Sequence, residues 1–112
     1  VIDAARCHIR PQQDAARADF IASGNLTCSL CQKTVSLDEL HADHSHPNTF
    51  KHIFDQWLEK MDLRKGEIEY CDVGVSSVRK FTDAKLVAKW IAYHKGLFQP
   101  QPTHDRCNLR QG

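Results

Sequence analysis

The sequence predicts a small α+β protein, and three observations predict it. Two segments carry apolar residues at helical spacing, short alternating stretches lie around them, and a Cys-x-x-Cys turn is matched near the C-terminus by a second pair able to bind metal. With 112 residues the chain is long enough for one compact domain and short of two ordinary ones. It is 41% hydrophobic and 26% charged, and no apolar run approaches a membrane span or a secretory signal, so a protein working in water with no membrane partner is expected. The first residue is Val1 rather than Met, which leads us to expect upstream sequence.

Taken in order, residues 11–23 predict a first helix: Pro11 suits a first turn, alanines follow, and Gly24 can end the helix in a left-handed cap. Residues 26–37 contain Cys28 and Cys31 and predict a tight knuckle turn leading into a short strand. Residues 40–46 alternate as a second strand, with His41 and Asp43 towards one side, His44 and His46 towards the other, and Pro47 ending it. Residues 48–61 are the clearest element. Phe50, Ile53, Phe54, Trp57, Leu58 and Met61 form one broad apolar face, with Lys51, Asp55, Glu59 and Lys60 opposite, so Trp57 is expected in the core rather than as a base-stacking platform. Arg64, Lys65 and Gly66 make a turn into a strand over residues 67–73. Thr82 is expected to cap a helix over residues 83–95, with Leu86, Val87, Trp90, Ile91 and His94 on one face and Gly96 as its stop. Pro100 and Pro102 then stiffen an extended segment, and a short helix is expected from Asp105.

Five cysteines, two of them as Cys-x-x-Cys, favour thiolate ligation in a reducing compartment over disulfides. Structural zinc takes four tetrahedral ligands. One tight turn supplies Cys28 and Cys31, and His104 and Cys107 supply the other two with the same spacing, which predicts a Cys₃His site for Zn²⁺. Cys7 and Cys71 read as buried or free thiols, with Cys71 the fallback ligand. The adjacent pair Asp43 and His44 has the groups that metal-assisted phosphodiester hydrolysis needs: a carboxylate to hold a divalent cation and an imidazole to take a proton from the attacking water. Charge is uneven. From Ser76 onward Arg79, Lys80, Lys85, Lys89, Lys95, Arg106 and Arg110 face only Asp83 and Asp105, which suits a polyanionic partner as well as a solvated lysine face.

The order Cys28-x-x-Cys31, Asp43-His44, then Cys107 directly followed by Asn108 resembles the HNH endonucleases of the ββα-metal superfamily, in particular their zinc-containing branch, with His104 where a cysteine is more usual. The resemblance implies a ββα-metal core with a largely helical insertion between the Asp-His strand and the C-terminal helix bearing Asn108. It implies that Asp43 and Asn108 hold Mg²⁺ or Mn²⁺, and that His44 is the general base. The family's middle Asn has no obvious counterpart, Gln99 and Gln101 being the residues available for it.

His41-Ala-Asp43-His44, Pro47-Asn-Thr-Phe50, the stretch from Phe81 through Trp90 to His94, and Asn108-Leu-Arg are also similar to the C-terminal region of bacterial and phage proteins that carry an upstream DCL-like domain. That resemblance covers most of residues 25–111. It implies residues 1–24 as an N-terminal segment and helix at the tail of a longer protein, and residues 25–112 as the HNH-like nuclease domain with inserted helices 48–61 and 83–95. The expected activity is hydrolysis of DNA to 5′-phosphate and 3′-hydroxyl ends, in the cytoplasm of a bacterial or phage-infected cell, by a monomer that nicks or a homodimer that cuts both strands. Arg106, Arg110, Lys85 and Lys89 are the candidate phosphate contacts. Two other readings use the same residues: a zinc-stabilised nucleic-acid-binding module without catalysis, and a structural zinc domain mediating protein contacts.

Overall fold

A computed structural model describes residues 2–73 and 78–107. In chain order its elements are α1 (Ile2–Ser23), β1 (Leu40–His44), α2 (Phe50–Lys60), a single 3₁₀ turn at Lys65–Glu67, β2 (Tyr70–Val73), β3 (Val78–Phe81), α3 (Ala84–Leu97) and β4 (Pro100–His104). β1 pairs with β4 and β2 with β3, both antiparallel, which gives a mixed α and β chain with two small sheets among the described residues. No helix among them is long and apolar enough to cross a membrane.

The chain divides into two compact units. The first comprises Val1–Arg10 and Pro47–Phe98, the second Pro11–His46 and Gln99–Gly112, so that α1 belongs to both. In the first unit α2 behaves as its periodicity predicts. Thr49 caps it by accepting from the His52 N–H, the helix ends on Met61, and Asp62 leaves it with a left-handed φ of 54°. Phe50, Ile53, Phe54, Trp57 and Leu58 are buried, and Trp57 is a core residue. Trp90 of α3 packs edge-on to Phe54 with centroids 5.2 Å apart, and its indole N–H donates to the Ala5 carbonyl at 2.9 Å.

That last bond helps explain the main departure from expectation in this unit. α1 begins at Ile2 rather than at Pro11, and runs through the proline. A proline inside a helix removes one hydrogen bond and costs about 3 kcal/mol. Here residues 2–10 bring Ala4, Ala5 and Ile9 into the core, and burial of apolar side chains at about 25 cal/mol per Å² offsets the loss. Three smaller differences have local causes. Asp83, not Thr82, caps α3, accepting from the N–H groups of Lys85 and Leu86. Gly96 lies inside α3, which ends one residue later. Residues 78–81, unassigned from sequence, form β3 because they partner the strand predicted near residue 70, which itself starts at Tyr70 after the 3₁₀ turn.

Two imidazoles in this unit are held neutral. His94 is fully buried against Trp90 and Phe98, with ring centroids 5.5 and 4.9 Å away, and burial pushes its pKa down to about 4. His8 is also lowered, by burial and then by the charge of Lys80, while its Nε2 accepts the Phe81 N–H at 2.9 Å. A folded-state pKa below the unfolded value means that the unfolded chain binds the proton first. The stability His94 contributes is therefore present above about pH 6.5 and is lost as pH falls towards 4. Denaturant unfolding should show stability falling by about 2–3 kcal/mol between about pH 7.5 and about pH 4.5 on this account. A His94→Leu variant should flatten that slope.

Candidate metal centre and its strand pair

The knuckle is built by backbone hydrogen bonds. Thr27 and Thr34 form an isolated antiparallel bridge. Val35 N–H donates to Leu26 O at 2.7 Å, Cys28 N–H to Lys33 O at 2.8 Å and Gln32 N–H to Cys28 O at 2.8 Å, while Gln32 turns the chain with a left-handed φ of 64°. The strand expected after the Cys-x-x-Cys is reduced to that bridge, because the turn that draws the two thiols together uses the local backbone groups itself.

The other two ligands arrive on β4 and the residues after it. The segment expected to be merely extended is a strand despite two prolines, and its geometry explains why. Gln99 O accepts from Ser45 N–H at 3.0 Å and Asp105 N–H donates to Glu39 O at 3.1 Å, so odd-numbered positions carry the bonds towards β1. Pro100, Pro102 and His104 turn their backbone the other way. There Pro102 O accepts from Ser29 N–H at 2.9 Å and His104 N–H meets the Cys28 sulfur at 3.4 Å. The prolines thus lack only N–H groups that the β1 ladder does not use.

Cys28, Cys31, His104 and Cys107 come together, with all four ligand atoms within 4.8 Å of one another. His104 Nδ1 lies 3.3 Å from Cys31 Sγ and 3.9 Å from Cys107 Sγ. Tetrahedral ligands at zinc bond lengths sit about 3.5–3.8 Å apart, so these distances bracket what a Zn²⁺ ion needs. The imidazole is oriented for the task. Its Nε2 is 3.2 Å from the Thr34 carbonyl and 3.7 Å from Glu39 Oε2, partners that hold the proton on Nε2 and leave the Nδ1 lone pair facing the thiols. The thiols are shifted in opposite directions. Burial opposes ionisation of Cys28, but the backbone N–H groups of Cys31, His104 and Leu30 and the His104 side chain outweigh it and bring the pKa down to about 6. Cys107 is raised, by burial and then by the neighbouring thiols of Cys28 and Cys31. A bound cation would relieve that mutual repulsion. These four residues form a candidate metal-binding site compatible with structural zinc. The fallback ligand Cys71 is exposed on β2, and Cys7 is half-buried on α1.

Glu39 also takes the Arg106 guanidinium at 3.3 Å and the Ser36 hydroxyl at 3.4 Å, which ties the start of β1 to the residues after β4. Glu39→Ala should weaken zinc binding about tenfold in competition with a chelating dye, the usual scale for losing an outer-shell partner of a ligating histidine.

β1 carries the second group of candidates. Asp43 stands opposite Gln101 and His44 opposite Pro100. Alternation puts His41, Asp43, Gln101 and Thr103 on one face of the ribbon and Leu40, His44 and His104 on the other. Asp43 and His44 are each 5% exposed, and Asp43 Oδ1 accepts the His44 N–H at 2.8 Å. Burial raises the Asp43 pKa against the opposing hydrogen bonds from His44 N–H and the Gln101 side chain and the charge of His41. Residues of α1 fix the strand's outer edge: Gln13 Nε2 donates to Ala42 O at 3.3 Å, and Arg17 donates to Leu40 O at 3.2 Å and Leu37 O at 2.7 Å. His46 and His52 are exposed, beyond β1 and on α2.

Among the candidate phosphate contacts, Lys85 and Lys89 are exposed on α3, and Arg106 is exposed while paired with Glu39. Asn108 and Arg110 lie outside the described residues. Sequence reasoning missed Glu39 and the Thr34 carbonyl. A carbonyl has no sequence signature, and a lone Glu before a strand has none either. No protein-family model, curated protein or solved structure matches the chain.

Proposed function

We propose that this protein is a metal-dependent DNA endonuclease of the HNH type, with Zn²⁺ as a structural clip and Mg²⁺ or Mn²⁺ as the catalytic cation. The observation that carries this reading is the order of elements around the metal centre. The strand bearing Asp43 and His44 pairs antiparallel with β4, and β4 runs directly into helical backbone at residues 105–107, with the four-ligand cluster at that junction. Strand, strand, helix is the order that the resemblance to the ββα-metal nucleases implies.

In this reading Asp43 and Asn108 hold the divalent cation, which when bound neutralises the scissile phosphate and supports the leaving 3′ oxygen. A buried carboxylate whose pKa is raised by its surroundings gains most from a nearby positive charge, and Asp43 is such a group. An imidazole nitrogen of His44 takes the proton of the attacking water, leaving 5′-phosphate and 3′-hydroxyl ends. Arg106, Arg110, Lys85 and Lys89 contribute salt-sensitive contacts to the DNA backbone. Supercoiled plasmid incubated with zinc-loaded protein should be converted to the open-circular form when Mg²⁺ or Mn²⁺ is added, and remain supercoiled without them.

The second reading, a zinc-stabilised nucleic-acid-binding module without catalysis, is favoured by the low exposure of Asp43 and His44. It predicts salt-dependent DNA binding with no cleavage under the same conditions.

A further inference from the structure

We infer that Gln101 is a positioning residue, one that holds the Asp43 carboxylate in register with His44 by bridging the two from the opposite strand. The inference rests on the nuclease reading above and goes beyond it by naming a residue that orients the cation ligand.

Gln101 is the cross-strand partner of Asp43, so their side chains leave the same face of the ribbon about 5 Å apart at Cβ. The Gln101 side chain hydrogen-bonds to the Asp43 carboxylate. Its Nε2 also lies 3.5 Å from the His44 carbonyl, at the long end of hydrogen-bonding range. One half-buried amide therefore touches both members of the Asp43-His44 pair from β4. His44 N–H occupies Asp43 Oδ1 from the strand's own backbone, so the carboxylate is gripped from its own strand and from its neighbour.

The chemistry of an amide suits this place. A lysine or arginine there would compete with a cation for the carboxylate, and a second carboxylate would repel it or bind the cation itself. A neutral N–H donor fixes the carboxylate plane while leaving its charge available. Fixing that plane matters because ligand orientation sets both the affinity for a cation and the angle at which a phosphate oxygen meets it.

The test uses the zinc-loaded protein with Gln101→Met, which keeps the side chain's length and removes its amide, and Gln101→Asn, which keeps an amide one carbon shorter. Three readouts are taken: plasmid-nicking kcat and KM, Mn²⁺ affinity by electron paramagnetic resonance in the absence of DNA, and thermal unfolding with zinc content as the folding control. Gln101→Met is expected to lower kcat by a factor of about 10–100 and weaken Mn²⁺ binding about tenfold. KM for DNA and zinc content should not change, and Gln101→Asn should recover part of both losses. Wild-type kcat and Mn²⁺ affinity in a folded Gln101→Met protein would overturn the inference and leave the nuclease reading intact. A wild-type protein that neither binds Mn²⁺ nor nicks DNA would overturn the nuclease reading, and this inference with it. Should Gln101→Met lose its zinc or its folded baseline, Gln101→Asn decides: wild-type values from it, with an amide too short to reach both partners, count against the bridge.

Discussion

Replacing His44 with alanine should reduce plasmid nicking by a factor of about 10²–10⁴, the usual contribution of a positioned general base. The fall should be in kcat. In the proposed mechanism the imidazole would act on the proton of the attacking water and play no part in the backbone contacts proposed to set DNA affinity, so KM for DNA should stay near its wild-type value. His44 is 5% exposed, so the substitution also removes a buried side chain and costs packing. His44 is the last residue of β1, and its backbone N–H, the group that holds Asp43 Oδ1, survives the substitution. Far-UV circular dichroism and zinc content measured alongside would separate lost chemistry from lost fold. Equal rates in the two proteins would remove His44 as the base.

The second large effect is on stability. Cys28→Ser should bring zinc content from about one equivalent to near none, because structural zinc needs all four tetrahedral ligands. Cys28 is fully buried, and its sulfur takes backbone N–H groups from both the knuckle and β4, so its loss disconnects the two halves of the clip. Zinc binding in small structural sites carries about 10–16 kcal/mol, comparable with the whole stability of a domain at about 5–15 kcal/mol. The unit made of Pro11–His46 and Gln99–Gly112 has a small apolar cluster around Cys28, Val35 and Leu40, and should lose cooperative unfolding without the metal. The other unit contains both tryptophans, in the core with α2. Tryptophan fluorescence should therefore report a transition near that of wild type, while far-UV circular dichroism should show helix and strand lost at lower temperature. A single unchanged transition by both probes would contradict a structural role for the metal.

Much of this arrangement was legible in the residues. The face of α2 follows from its apolar spacing, and the four metal-competent residues follow from two matched three-residue spacings. Both signals are local or periodic, and so survive the loss of tertiary context. What the residues hide is non-local. The helix through Pro11 exists because Ala4, Ala5 and Ile9 meet a core supplied by residues far along the chain, and no local propensity announces that. β4 is a strand because its prolines fall on the edge away from β1, which depends on register rather than composition. β3 has no pattern of its own and takes its conformation from pairing with β2. In the site, Glu39 and the Thr34 carbonyl reach His104 only after the chain has folded, and a residue acting through its backbone leaves no mark in a sequence.

In the proposed mechanism Asp43 and Asn108 would share one divalent cation beside a separate zinc clip. Anomalous diffraction from crystals of the zinc-loaded protein soaked in Mn²⁺ tests it most directly. A manganese peak about 2.0–2.6 Å from both the Asp43 carboxylate and the Asn108 side-chain oxygen, with zinc among Cys28, Cys31, His104 and Cys107, is the predicted result. Manganese absent from Asp43, or an Asn108 oxygen too distant to share its ion, would contradict it.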